Sequence, residues 1–519
     1  MKIMRSTRLV IGLLVVALAA SACGSDSYDS TAPTFGQTQP VPSETIAPSA
    51  TLAPPNDEPY DAVFFDNPGV NPFIDTEDDS ISTFALDVDT GSYTIARRYL
   101  TDGHLPDKDA VRVEEFVNYF DQDYLAPSIE EGLALSVDGG STPFVQNSRN
   151  QVVRIGVQAG RDDGEQRADA NLVFVIDTSG SMEREDRLGL VKRSLELLVS
   201  ALNPTDTIGI VEYGSQARLV LSPTPVNEEN EILRAIDSLH PGGSTNAAEG
   251  LQMGYRLANE AFRPGAINRV ILSSDGVANM GPTTSAEGIL DLIEGDAERG
   301  IELVTVGFGM GNYNDVLMEQ LANQGDGFYA YVDTLDEARK LFVEGLSGTL
   351  QTVAKDAKIQ VAFNPGTVQS WRLIGFENRA LNDEDFRDDS VDAGEIGAGH
   401  TVTALYEVKP VEEGLGGELG SVSLRWLDPA SGTPNETQRV ISSTDLKSDF
   451  ASTAPRFQLD VVVAQYAEVL RESVWARQID SDLEDVAAWG DHLVRVLPDD
   501  AEVVEFAGLM RQAAAVASS

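Results

Sequence analysis

Five oxygen-bearing side chains in three separate stretches could do chemistry together. The first stretch is "VFVIDTSGSM", Val173 to Met182, where an apolar run ends in Asp177 and a glycine-bearing turn presents Ser179 and Ser181. In a D-x-S-x-S turn, alternate positions can point one carboxylate and two hydroxyls at one centre. The second stretch, "PGGSTNAAEG", places Thr245 in a glycine-bearing loop before a helical pattern, and the third, "VILSSDG", ends another apolar run in Asp275. All of these donors are hard oxygens with no cysteine or histidine beside them, a set that suits Mg²⁺, Mn²⁺ or Ca²⁺ rather than zinc. Mg²⁺ takes six near-octahedral oxygens at about 2.0–2.1 Å and keeps several waters. One loop supplies too few donors, so the other strand ends must contribute. Taken alone, Asp177 and Ser181 would equally serve to cap the helix that follows them.

The elements that must position these groups alternate between strand and helix from about residue 171 to 350. "LVFVI" (172–176) is continuously apolar, as expected of a strand covered on both faces. "RLGLVKRSLELLVSAL" follows with Leu188, Val191, Leu195, Leu198 and Leu202 at helical spacing. Strands "TIGIVEY", "ARLVLSP", "RVILSSDG", "IELVTVGFG" and "GFYAYV" then interleave with helices "AAEGLQMGYRLANEAF", "SAEGILDLIEGDAERG", "NDVLMEQLANQ" and "LDEARKLFVEGLSGTL". This alternation predicts a Rossmann-like α/β domain, a mainly parallel sheet with helices on both faces, and the close strand pair near 207–222 predicts one antiparallel edge. In such sheets ligands sit beyond the carboxyl ends of the strands, where Asp177 and Asp275 stand.

On either side lie alternating strands: Val153, Ile155 and Val157 before the α/β unit, and Ile359 and Val361, Val402 to Val408, and Val422 to Trp426 after it. Too few lie upstream to bury a face alone. The two sets are therefore expected to join into one β-sandwich with the α/β domain inserted between them. The expected division is 61–130 as a small α+β preface, 131–170 and 351–445 as the two parts of the sandwich, 171–350 as the inserted domain, and 446–519 as a helical end. In that end, Thr453 is expected to cap a helix with Pro455 in its first turn, and two shorter helices follow.

With these residues in place, the chain resembles the von Willebrand factor type A family. D-x-S-x-S, a later loop threonine and a later strand-end aspartate look like that family's metal-ion-dependent adhesion site. The resemblance implies Ser179, Ser181 and Thr245 as hydroxyl ligands and Asp177 and Asp275 as carboxylates that often act through water. It also implies an open metal position filled by the Asp or Glu of a partner protein. The threonine loop reads "GGSTN" rather than the commoner "GGT", so Ser244 competes with Thr245, and Thr245 is preferred. "STFALDVDTGSYTIARRYLTDGHLPDKDAVRVEEFVNYFD" resembles the N-terminal flank of bacterial secreted or lipoprotein members, and "RLIGFENRALNDEDF" and "DAGEIGAGHTVTALYEV" resemble their C-terminal flank.

Other strings compete less well. "DVDTGS" carries the D-T-G-S of aspartic proteases, but no second such string supplies the partner carboxylate, so Asp89 reads as a structural turn acid. A cation at Asp87 or Asp89 is a weaker alternative. "GFGMGN" (307–312) lacks the third glycine of a dinucleotide loop. His104, His240, His400 and His492 are scattered and read as structural or surface residues, and Glu212 reads as edge polarity. No acid, base and nucleophile assemble, so the chain is not expected to be an enzyme.

The start of the chain gives an address. Lys2, Arg5 and Arg8 precede the apolar stretch Leu9 to Ala20, too short to span a bilayer comfortably, and Ala20-Ser21-Ala22 precede Cys23. This resembles the bacterial lipobox, which implies cleavage after residue 22 and lipidation of Cys23. A plain secretory signal or an uncleaved anchor are the alternatives. Cys23 is the only cysteine, so no intrachain disulfide forms. Residues 23–60 are rich in Ser, Thr, Pro and Ala and read as a tether. The 519-residue chain carries a net charge of −46, near −49 once three leader cations are removed. Such a chain repels nucleic acid and anionic lipid, so membrane contact is expected through the lipid anchor only. The expectation is an extracytoplasmic, membrane-anchored binding protein. The alternative is an envelope scaffold or assembly factor that does not use the adhesion-like site.

Overall fold

The computed structural model describes residues 65–144, 149–161, 167–276, 283–293, 300–310, 313–411 and 416–518. The leader, Cys23 and the tether lie outside the described residues, as do residues 294–299 of the helix expected after Ser285.

The strand Ala170–Asp177 is the spine of the inserted domain, and all eight of its residues are buried. Its side chains alternate between two cores. Leu172, Phe174 and Ile176 meet the helix Leu190–Ala201, and Val173 and Val175 meet the helix Ala247–Glu260. A strand buried on both faces must be apolar throughout, and this is why polarity waits for its last residue. The six-stranded sheet runs Tyr329–Val332, Glu302–Phe308, Ile267–Ser274, Ala170–Asp177, Thr207–Tyr213, Ala217–Pro225. All neighbours are parallel except the last pair, so Ala217–Pro225 is the antiparallel edge expected. The helix Glu229–Asp237 was not foreseen. It buries only Ile232 and Ile236, too brief a pattern to stand out among its charged residues.

The flanking strands form a two-sheet sandwich completed from both sides of the insertion. One sheet runs Ile74–Asp75, Val368–Ile374, Thr401–Pro410, Gln151–Ala159, Leu133–Ser141, Leu446–Lys447. Across its centre Val157 pairs with Val402, Ile155 with Ala404 and Val153 with Tyr406. The other sheet runs Gly394–Gly397, Thr352–Phe363, Glu418–Leu427, Pro434–Ser442. Ile359, Val361, Val422, Leu424 and Trp426 from this sheet share a core with the first. The fold class is thus a Rossmann-like α/β domain inserted in a β-sandwich, with an N-terminal α+β region and a helical end.

The preface is not a body of its own. Its strand Ile81–Ala85 pairs with Thr352–Phe363 inside the sandwich. Its helices Gly91–Thr101 and Val113–Asn118 share a core with the terminal helices Pro455–Leu470 and Ala501–Ala517. Thr453 does not cap the Pro455–Leu470 helix, because its hydroxyl donates to Phe450 O at 2.7 Å; Ala454 takes the cap position and Pro455 opens the helix. Four helices follow rather than two, and the last, Ala501–Ala517, is the longest.

Closing this junction buries acids. Glu114 is 2% exposed, and burial, then the neighbouring Glu377 carboxylate, push it up to about 7. The folded state therefore takes up a proton that the unfolded chain, titrating near the ordinary 4.5, does not. Glu114's contribution is fully present below pH 4.5 and is lost as the pH rises through about 7. Glu114→Gln should accordingly stabilise the protein at pH 8 relative to wild type, by on the order of 1–3 kcal/mol, with little gain at pH 4.5. Paired thermal melts across that range check the sign.

Candidate metal centre

Asp177 closes the Ala170–Asp177 strand with no side-chain exposure to solvent. Its Oδ1 accepts the Ser179 backbone N–H at 2.8 Å, which folds the chain back over the strand end. Its Oδ2 accepts the Ser274 hydroxyl at 2.9 Å, and the Gly276 N–H in turn donates to Ser274 Oγ at 3.0 Å. The turn brings Ser179 Oγ and Ser181 Oγ to 2.9 Å from each other, with Ser179 buried and Ser181 half-buried. Asp275 follows the neighbouring parallel strand Ile267–Ser274 and is fully buried. Gly276 turns the chain there at φ +83°, where a side chain would also collide with the Asn314 backbone.

The Thr245 loop is stitched to this turn through its backbone. Gly180 N–H donates to Gly243 O at 2.9 Å, and Gly242 N–H donates to Thr178 O at 2.6 Å. Thr245 is buried, and Asn246 caps the helix Ala247–Glu260 by accepting from Glu249 N–H. Ser244 is half-buried, and its N–H donates to Ser215 Oγ at 3.0 Å. The three stretches singled out in the sequence therefore meet at the carboxyl ends of adjacent strands.

Two buried carboxylates here influence each other. Burial, then the charge of Asp275, push Asp177 up to about 7, against the hydrogen bonds from Ser179 and Ser274 that favour its ionised form. A donor set of carboxylates and hydroxyls, with two acids at one spot, fits a hard divalent cation, which would relieve that repulsion.

Arg187 was missed. It is 1% exposed, and its Nη1 donates to Asp275 Oδ2 at 2.9 Å and to Ser181 O at 2.7 Å. Its Nη2 donates to Met310 O at 2.5 Å. Gly309, at φ +75°, lets the chain pass beside it. Glycine there makes room for an arginine rather than for a nucleotide. In "MEREDRLGL" nothing separates Arg187 from surface charges except Leu188 beside it.

The residues set aside in the sequence lie elsewhere. Asp89 is more than a turn acid: its Oδ1 accepts Tyr329 N–H at 2.9 Å, joining the N-terminal region to the start of a sheet strand, away from the carboxyl end that carries Asp177. Arg379 lies 2.6 Å from Asp87, 3.6 Å from Asp89 and 3.4 Å from Glu319, so these acids surround a guanidinium. Glu212 pairs with Arg218 across the edge strands at 2.8 Å. His400 is held down to about 4 by burial and then Arg269, and packs edge-on to Phe328. His240 bonds to Ser238 O and His492 to Gln458.

Comparison with known proteins finds three family models along the chain. The model for the von Willebrand factor type A domain matches residues 171–344, a second von Willebrand factor model matches 59–154, and the model described as "Uncharacterized protein YfbK, C-terminal" matches 348–516. The uncharacterized protein YfbK of Escherichia coli K12 is 41% identical over 345 residues, covering 65% of this chain and 60% of the relative's own length. An uncharacterized Synechocystis protein is 26% identical, covering 54% of this chain and 67% of its own. Among solved structures, a von Willebrand factor type A protein from Catenulispora acidiphila aligns with a TM-score of 0.42 at 16% identity, covering 75% of this chain and 89% of its own.

The space around Arg187 gives a direct check on the site's packing. A Cβ on Gly309 would lie 2.3 Å from Arg187 Cγ in a left-handed backbone conformation. Gly309→Ala should cost about 1–3 kcal/mol in chemical denaturation. Gly265→Ala, also at positive φ but with open space around it, should cost only the backbone strain.

Proposed function

The chain is a bacterial von Willebrand factor type A protein with a YfbK-type C-terminal domain, and on that premise we propose that it is an extracytoplasmic binding protein whose Asp177 site holds a divalent cation and engages a partner's carboxylate. The observation that carries this reading is the meeting of Asp177, Asp275 and the Ser179–Ser181 hydroxyl pair at adjacent strand ends, with the Thr245 loop tied across them.

Ser179, Ser181 and Thr245 would offer hydroxyl oxygens, and Asp177 and Asp275 the negative charge. Asp177 is held in place by Ser179 N–H and Ser274 Oγ, so its oxygens need little rearrangement to accept the ion or a water on it. Bound there, Mg²⁺, or Mn²⁺ or Ca²⁺, supplies a positive centre at which an acidic group of a partner protein is acceptable to this strongly acidic chain. The leader and Cys23 support placement outside a bacterial membrane on a lipid anchor, with residues 23–60 as the tether. The chemistry is binding, not turnover.

A second reading, an envelope scaffold that leaves the site unused, draws on Arg187, which already gives Asp275 an opposite charge. Two measurements separate them. Saturating Mg²⁺ at about a hundred times its Kd should stabilise wild type by about 2.7 kcal/mol, several degrees in melting temperature, and EDTA should reverse this. Asp177→Ala should show no such shift. If Mg²⁺ moves neither protein, the cation reading fails. In pull-downs from envelope extracts, Ser181→Ala should lose the partner that wild type recovers with Mg²⁺; equal recovery supports the scaffold.

A further inference from the structure

Arg187 puts a complete positive charge inside the candidate cation site. Its side chain is 2% exposed and that of Asp275 is 0% exposed. The guanidinium joins three loops: the turn after Asp177 through Ser181 O, the Ile267–Ser274 strand end through Asp275, and the loop after Glu302–Phe308 through Met310 O. Such a group can act in two ways. It can be a bracket that holds the loops in register, or a charge that competes with the divalent ion for Asp275.

A charge count decides which consequence to expect. Asp177 and Asp275 ionised bring two negative charges, and Arg187 brings one positive. Without a divalent ion the fully ionised set would carry one excess negative charge. With the ion it carries one excess positive charge. A partner's carboxylate brings it to neutrality. Buried excess charge is costly, so the neutral combination is favoured. Were Arg187 uncharged, the ion and the two aspartates would already be neutral, and no partner would be needed.

We propose that Arg187 is the site's built-in counter-cation: it balances Asp275 when no divalent ion is bound, keeps the fold intact without metal, and holds cation affinity low until an acidic ligand arrives. The proposal rests on the cation-site reading and assigns its regulation. Cation and acidic ligand then bind cooperatively, because each supplies the charge that makes the other acceptable.

The test measures Mn²⁺ affinity by paramagnetic resonance on the full mature chain, with and without acetate as the carboxylate probe, together with melting temperature in EDTA. Wild type should bind Mn²⁺ more tightly with acetate present and should stay folded in EDTA. Arg187→Gln should bind Mn²⁺ alone about tenfold or more tighter than wild type, lose the acetate effect, and melt lower in EDTA. Arg187→Lys keeps the charge but not the fork. It should stay within about threefold of wild type and retain the acetate effect. Weaker Mn²⁺ binding by folded Arg187→Gln, or loss of binding by Arg187→Lys, would make Arg187 a bracket only and overturn the proposal. Absence of Mn²⁺ binding in all three proteins would take down the cation-site reading itself.

Discussion

Two buried aspartates at the ends of neighbouring core strands set the terms for everything around them. Neither Asp177 nor Asp275 can turn to solvent, so each must be answered from within the protein. Asp177 is answered by a backbone N–H and the Ser274 hydroxyl, and Asp275 by Arg187. The turn geometry, the glycines at 276 and 309 and the crossing of the Thr245 loop all follow from the need to bring these answers within reach. The same acids that make the strand ends expensive make them useful, because hydroxyls and carboxylates gathered at one point are what a hard cation requires.

The surrounding bodies are fastened to the α/β domain by a similar device. Arg97 of the helix Gly91–Thr101 donates to both oxygens of Asp333 and to Glu337. Arg112 bonds Asp315, and Arg379 holds Asp87 beside Asp89, which itself grips the Tyr329 amide. Buried pairs of this kind are poor sources of net stability, yet breaking one strands a charge. They therefore specify how the N-terminal region seats against the sheet, while the apolar cores supply the drive to bury it. The repeated use of arginine matters, since its planar fork reaches several acceptors at once where lysine cannot.

Most of the architecture could be read from residue order because its signals are local. The strand Ala170–Asp177 is apolar without interruption, and Val153, Ile155 and Val157 alternate cleanly. The inference that upstream and downstream strands share a sandwich followed from counting, since a few strands cannot bury a face alone. What stayed hidden was long-range or weakly periodic. Ala501–Ala517 is rich in alanine, so its buried face of Val503, Phe506, Ala507 and Met510 hardly contrasts with the rest. Thr453 offered a cap by type, but its hydroxyl was better served by Phe450 O. Arg187 carries no signature, because nothing local shows that its partner lies 88 positions away at Asp275. For the candidate site, the oxygen donors were legible and the cation opposing them was not.

The insertion also sets an order in time. The strand Gln151–Ala159 emerges early in synthesis, but its central neighbour Thr401–Pro410 comes some 250 residues later by this pairing: Val153 waits for Tyr406, and Ile155 for Ala404. The α/β domain between them holds every strand of its own sheet and can close first. Until the later strands Thr401–Pro410 and Leu446–Lys447 arrive, the early hairpin of Leu133–Ser141 and Gln151–Ala159 has both edges unpaired and an uncovered apolar face. A chain cut short after the α/β domain would thus carry the complete candidate site on a half-built base whose exposed strand invites the wrong partner.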